Sequence, residues 1–426
     1  MTSLHRAAEK GRVAALQALL KRGADKDAAD GQGRTPLHYA AMKGQAAALR
    51  VLLDSGADKE AAGRDGWRPL HWAAMKGQVG VLTTLLKRGA DKEAADHNGQ
   101  RPLHLAVMSG QVAALRALLR RGADKEAADG SSARPIHYAA LKGWVAALQA
   151  LLDGGADKDA VDEESGYTPL HFAAANGHVA ALQLLLDSGA DKEAVDASGG
   201  TPLHHATLKG QVAALQVLLD RGADKEAAGG SGRRALHYAA LNGDVAVLRA
   251  LLERSADKEA ADEAGLTPLH YAAVEGQVAA LQVLLESGAD KQAVDGSGAT
   301  PLHYAVVKGQ VATLRVLLEG GCRATVAADG GKAVRIALRE GQHAAAELLI
   351  AEGAAAATGS AEQWAAFAQW QRGRVAQLVA EREAAEAARE AERAELRALF
   401  VAIAAEARRQ AGAGRPAKRR RCAAAP

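Results

Sequence analysis

Aromatic residues make up only 3% of the 426-residue chain, although 48% of it is hydrophobic. A conventional globular core of this size leans on Phe, Tyr and Trp for buried area. That option is largely closed, and the apolar fraction consists mostly of Ala, Leu and Val, which suits small, closely packed helices. Two cysteines, Cys322 and Cys422, are too few for a disulfide framework and fit a reducing compartment. No run approaches eighteen consecutive apolar residues, and the first twelve residues carry Arg6, Glu9, Lys10 and Arg12 without an apolar stretch. Neither a membrane span nor a secretory signal is expected, and an intracellular chain, cytoplasmic or nuclear, is. Charge of one sign is also lacking: 53 basic residues face 50 acidic ones. The small excess lies in residues 357–426, with thirteen basic and eight acidic groups, so no molecule-wide basic field points to nucleic acid.

What is present is a period. His5, His38, His71, His104 and His137 stand 33 residues apart, and after one 34-residue step His171, His204, His237, His270 and His303 continue the series. Arg335 takes the histidine's place in an eleventh, degenerate unit. Each unit opens as Thr35-Pro36-Leu37-His38-Tyr39-Ala40-Ala41 does, breaks at Gly44, continues through Ala48-Leu49-Arg50-Val51-Leu52-Leu53 and closes at Gly56-Ala57-Asp58. Thr before Pro is a helix start, because the hydroxyl caps free N–H groups and Pro at the first helical position needs no donor. The glycines end two short helices, and the segment from Asp58 to Arg68 reads as an extended turn to the next unit. Helices this short do not persist alone, so each must bury its Ala/Leu face on its neighbours.

The pattern T-P-L-H-x-A-A-x-x-G followed by L-L-x-x-G-A-D resembles the ankyrin-repeat family over roughly residues 2–356. The resemblance implies an all-α solenoid of paired antiparallel helices with β-hairpin fingers. It also implies that each histidine hydrogen-bonds loop backbone, and that partners meet the finger tips and the exposed face of the first helix. Residues 1–356 are thus expected to form the solenoid, 357–410 a long charged helix (solenoid cap, lone helix or self-associating coiled coil), and 411–426 a basic tail.

Arg68, Arg101, Arg134 and Arg234 replace the capping Thr, each at an expected cost of roughly 0.5–2 kcal/mol. The unit at His237 also has Ala235 for Pro and Ser255 for the terminal Gly, and is expected to be the soft point of the array. Histidines one repeat apart, at a helix-packing spacing of roughly 8–10 Å, cannot share a metal that needs nitrogens about 2 Å away. No phosphate loop, dinucleotide fingerprint, H-E-x-x-H or C-x-x-C is present, so no catalytic residue, cofactor or metal is expected.

The expected function is a non-enzymatic scaffold or adaptor binding a protein with acidic and apolar features. Its candidate residues come from units two to five, where Met, Trp and Arg cluster: Arg34, Met42, Lys43, Trp67, Arg68, Met75, Lys76, Gln100, Arg101, Met108, Arg134, Leu141 and Lys142. The repeated Asp-Lys-Glu tripeptides read as a solvated, mutually neutralising charge ladder. Arg415, Lys418, Arg419, Arg420 and Arg421 read as a nuclear localisation signal, and the alternatives are a nuclear regulator whose tail contacts nucleic acid or a purely structural spacer.

Overall fold

A computed structural model describes residues 1–322, 332–356, 369, 372–373, 376–377 and 379–394. Its backbone contacts divide the chain into Met1–Tyr304 and Ala305–Pro426.

In the first unit the 33-residue period becomes a stack of helix pairs. The first helix of a pair has seven or eight residues, as in Pro36–Met42, and the second nine, as in Ala46–Asp54. Position by position the sequence dictates this. Pro36 occupies the first helical turn behind an extended Thr35, and Gly44 turns the chain at φ +72, a left-handed conformation that a side chain opposes. Leu37, Ala40, Ala41, Ala48, Leu49 and Leu52 are all fully buried. The alanines let neighbouring helices approach closely while the leucines fill the seam, at about 1.5–3 kcal/mol for each fully buried Leu. First helices pack on first helices and second on second along the stack, so no unit owns a core of its own.

The turns between pairs differ from the expected β-hairpins. Among the described residues there is no strand. Each turn is closed by main-chain bonds of its own, such as Asp30 N–H to the Arg34 carbonyl at 3.0 Å and Gly33 N–H to the Asp30 carbonyl at 2.9 Å, and most are linked to the next turn by one more, as Arg64 N–H to the Gln32 carbonyl at 3.0 Å. Such isolated bonds make no ladder. An Asp side chain, described below, does the closing instead.

Among the described residues three that are not glycine adopt positive φ: Ser132 (59), Ser231 (62) and Ser255 (59). Ser255 thus keeps the left-handed helix exit in the unit expected to be soft, at a cost of about 1–2 kcal/mol for a residue with a Cβ. That unit has offsetting features. Its helix Ala235–Asn242 forms without Pro, and Asp244 caps Val245–Glu253 by accepting from Val247 N–H at 3.1 Å. Replacing Ser255 by Gly is expected to stabilise the chain by about 1 kcal/mol in denaturant unfolding. An unchanged midpoint would mean that the position is unstrained.

In the second unit, Lys332–Arg339 and His343–Ala356 form a helix pair. Ile350 and Ala351 line one recess with Ala376, Val379 and Ala380. Residues 379–394 are helical, with Arg382 and Glu386 paired at 2.9 Å one turn apart. Trp364, Phe367 and Trp370, the apolar start of the tail, lie outside the described residues, as do Arg415, Lys418, Arg419, Arg420 and Arg421. Among the described residues no helix is long and apolar enough to cross a membrane.

Candidate functional site

The recurring histidines serve the stack. At the first helix of each unit, Nδ1 accepts the backbone N–H three residues earlier, as from Thr35 to His38 at 3.0 Å and from Arg134 to His137 at 2.9 Å. An N–H facing Nδ1 leaves the proton on Nε2. In most units Nε2 donates it to a carbonyl of the next repeat: Trp67 O from His38 at 2.9 Å, Ala160 O from His137 at 2.8 Å, Gly200 O from His171 at 3.1 Å. Each such ring caps its own helix and ties it to the following turn. Burial pushes His38, His71, His104, His137, His171, His204, His237 and His270 below the usual imidazole range, His171 to about 4. These eight rings are therefore neutral, and seven of them, all but His204, link two repeats through Nε2.

A second row lies nine residues ahead of the Tyr39 position. Asp30 Oδ1 accepts the amides of Gln32 and Arg34 at 2.8 and 3.0 Å, and Oδ2 accepts the Tyr39 hydroxyl at 2.6 Å. Burial raises the Asp30 carboxyl, but those hydrogen bonds outweigh it and hold it at about 2. The Tyr–Asp bond recurs at 2.6 Å for Tyr138–Asp129, Tyr271–Asp262 and Tyr304–Asp295. Where Tyr is replaced, another donor serves. His205 Nε2 meets Asp196 at 2.6 Å, Ser165 Oγ donates to Asp162 at 2.6 Å, and Trp67 Nε1 donates across the repeat boundary to Asp96 at 2.8 Å.

The Asp-Lys-Glu tripeptides are not merely solvated. Glu60 Oε1 accepts the Asp91 N–H of the next unit at 2.9 Å, and Glu93 and Glu126 do the same for Asp124 and Asp157. The arginines in the cap position join that bridge. Arg68 pairs with Glu60 at 2.6 Å and Asp91 at 3.5 Å, Arg101 with Glu93 at 2.7 Å and Asp124 at 3.5 Å, and Arg134 with Glu126 at 2.9 Å. The hydroxyl cap that these units lose is thus offset in part by a partly buried fork to two carboxylates.

These contacts sort the sequence-derived candidates into two groups. On the finger side, Arg34 lies 4.7 Å above the Trp72 ring, Trp67 packs on Trp72 at 4.7 Å, Gln100 gives its amide to Asp96, and Arg68, Arg101 and Arg134 are ion-paired. On the first-helix side, Met42, Met75, Met108 and Leu141 are half-buried at equivalent positions of four successive units, with Lys43, Lys76 and Lys142 exposed beside them. Of those lysines, Lys43 lies 3.7 Å from Glu9. Trp144 is 43% exposed two residues beyond Lys142, where most units carry Gln, and its ring packs over Gly110 of the preceding unit. The sequence signal for Trp144 was its departure from Gln45, Gln78 and Gln111.

A family model of three successive ankyrin repeats matches residues 4–96, 60–129, 136–229 and 224–295, and a single ankyrin repeat matches 297–329. The chain belongs to the ankyrin-repeat family. No curated protein matches it. Ankyrin repeats generally mediate protein–protein interaction and typically act as non-enzymatic binding scaffolds. In this ankyrin stack most of the described inward-facing polar groups serve the stack itself.

Proposed function

We propose that this ankyrin-repeat chain is a protein-binding scaffold whose docking surface is the first-helix ridge of Met42, Met75, Met108 and Leu141, with Lys43, Lys76, Lys142 and Trp144. One observation supports the choice: the finger-side arginines and Trp67 are engaged in contacts within the stack, whereas this ridge sets half-buried apolar side chains beside exposed lysines at regular spacing. Met offers an adaptable apolar surface, Trp an anchor, and the lysines favour an acidic partner segment. Successive units hold the ridge in place through their histidine and carboxylate bridges, so the partner meets a preorganised surface. No cofactor is called for.

The test is a triple substitution of Met42, Met75 and Met108 by Glu. Its expected effect is a loss of at least about a hundredfold in affinity for a partner recovered by proximity labelling, since central anchors each contribute about 2 kcal/mol or more. Replacing the exposed finger residues Val195 and Val294 by Glu serves as the control and is expected to leave binding intact. Equal affinity of the Met triple variant and the parent chain, with helical content unchanged, would move the docking surface elsewhere.

A further inference from the structure

The chain has three asparagines, and each is followed by glycine: Asn98-Gly99, Asn176-Gly177 and Asn242-Gly243. All three are exposed. Asparagine before glycine can deamidate without an enzyme, because no Cβ on the following residue hinders its backbone nitrogen from reaching the side-chain carbonyl carbon. The three sites differ in what holds them. Asn176 and Asn242 stand at the ends of the helices Pro169–Ala175 and Ala235–Asn242. Their side-chain amides donate to the Phe172 carbonyl at 2.8 Å and the Leu208 carbonyl at 3.2 Å, both earlier in the chain than the asparagine itself. Asn98 lies outside any helix, in the turn Asp96-His97-Asn98-Gly99-Gln100, and its side chain makes no hydrogen bond among the described residues.

Each glycine nitrogen is restrained alike, by one bond to the carbonyl three residues back: Gly99 to Asp96 at 3.0 Å, Gly177 to Ala174 at 3.2 Å and Gly243 to Ala240 at 3.3 Å. The free or committed side chain therefore decides among them. Asn98 is also where a change would be felt. Its N–H and that of Gln100 converge on Asp96 Oδ1 at 2.9 and 2.8 Å, while Asp96 Oδ2 holds the Trp67 indole at 2.8 Å. One carboxylate thus clamps this turn and ties it to the preceding one.

We propose that Asn98 is a self-modifying site, at which deamidation opens the Asp96 clamp. The Gly99 nitrogen bonds to Asn98 Cγ, its proton passes through water to Nδ2, and the Cγ–Nδ2 bond breaks to release ammonia. Water then adds to one of the two carbonyl carbons of the cyclic imide. Cleavage at Cγ leaves aspartate; cleavage at the backbone carbonyl carbon routes the chain through Cγ as an isoaspartyl linkage. Nothing is oxidised or reduced, and water is the one co-reactant. Aspartate fits such a turn, as Asp65 does at the equivalent position, where its Oδ1 accepts the Trp67 amide at 3.0 Å. The isoaspartyl form instead adds a methylene to the backbone between the two amides that Asp96 Oδ1 spans. The site is separate from the Met–Lys ridge and stands whether or not that ridge binds.

The experiment incubates the full chain at mildly alkaline pH, folded and in urea, and follows each asparagine peptide by mass spectrometry, with aspartyl and isoaspartyl forms separated by chromatography. In the folded chain Asn98 is expected to convert about fivefold faster than Asn176 or Asn242, the advantage of a side chain with no hydrogen bond to break. In urea the three are expected to convert at similar rates. Equal rates in the folded chain, or the same ranking in urea, would overturn the assignment of the site to the fold. The purified isoaspartyl form and the Asn98→Asp variant are then compared by amide hydrogen exchange. The Gln100 amide is expected to exchange at least about fivefold faster in the isoaspartyl form and at the parent rate in the variant. Parent-like exchange of Gln100 in the isoaspartyl form would show that the clamp survives and overturn its opening.

Discussion

Lowering the pH from 7 to 5 is expected to destabilise the first unit strongly, with a fall of more than roughly 10 °C in melting temperature. Eight buried histidines have folded pKa values below the ordinary imidazole value because burial disfavours their charged form. In the unfolded chain the same rings titrate near 6.5, so below that pH the unfolded state binds protons that the folded state refuses. Their contribution is fully present above about 6.5 and drains away as pH falls towards the folded values. For His171, held at about 4, the loss between pH 7 and pH 5 is roughly 2 kcal/mol. The other seven add in the same direction. Protonation would also place a hydrogen on Nδ1, where the cap N–H already points.

The aspartates titrate lower. Asp30 and Asp196 are at about 2, so their contribution persists until well below pH 4 and cannot account for a loss at pH 5. Unfolding followed by circular dichroism at pH 7, 6 and 5 checks the prediction. A melting temperature flat across that range would mean that the rings accept protons without leaving their carbonyls.

How much of this was legible in the sequence depends on whether a feature is local. The helix pairs were: Thr35-Pro36 opens a helix, Gly44 and Gly56 close two, and Leu37, Leu49 and Leu52 sit at core spacing. The histidine row was legible as a period, and its role came from the family resemblance. The turns were not, because a five-residue segment rich in Gly reads alike whether strand pairing or one Asp carboxylate closes it. Arg101 read as a lost cap, since Glu93 and Asp124, eight and twenty-three residues away, reach it only once the units stack. Trp67 read as an interface anchor for the same reason. Its acceptor Asp96 is 29 residues on, and is available because Leu105 stands where another unit has Tyr.

The second large effect follows from the double duty of the histidine. His137→Ala leaves the Arg134 N–H and the Ala160 carbonyl without their partners and removes a buried ring. Each orphaned group costs about 1–3 kcal/mol, so a total loss of about 3–5 kcal/mol is expected, at the upper end for a single substitution. His137→Asn separates the two roles. Its side-chain oxygen can still accept the Arg134 N–H, as Asn does at helix starts, but its shorter side chain cannot reach Ala160 in the next unit. The Asn variant is therefore expected to lose about half as much as Ala. Its amide exchange should quicken mainly around residues 157–162, across the repeat boundary, while the helix Pro135–Leu141 keeps its protection. In a stack whose stability is a sum of neighbour terms, that is the signature of a weakened interface and an intact unit. Equal losses for Ala and Asn, with exchange quickened equally on both sides of the boundary, would show that the ring serves packing and that its two hydrogen bonds contribute little.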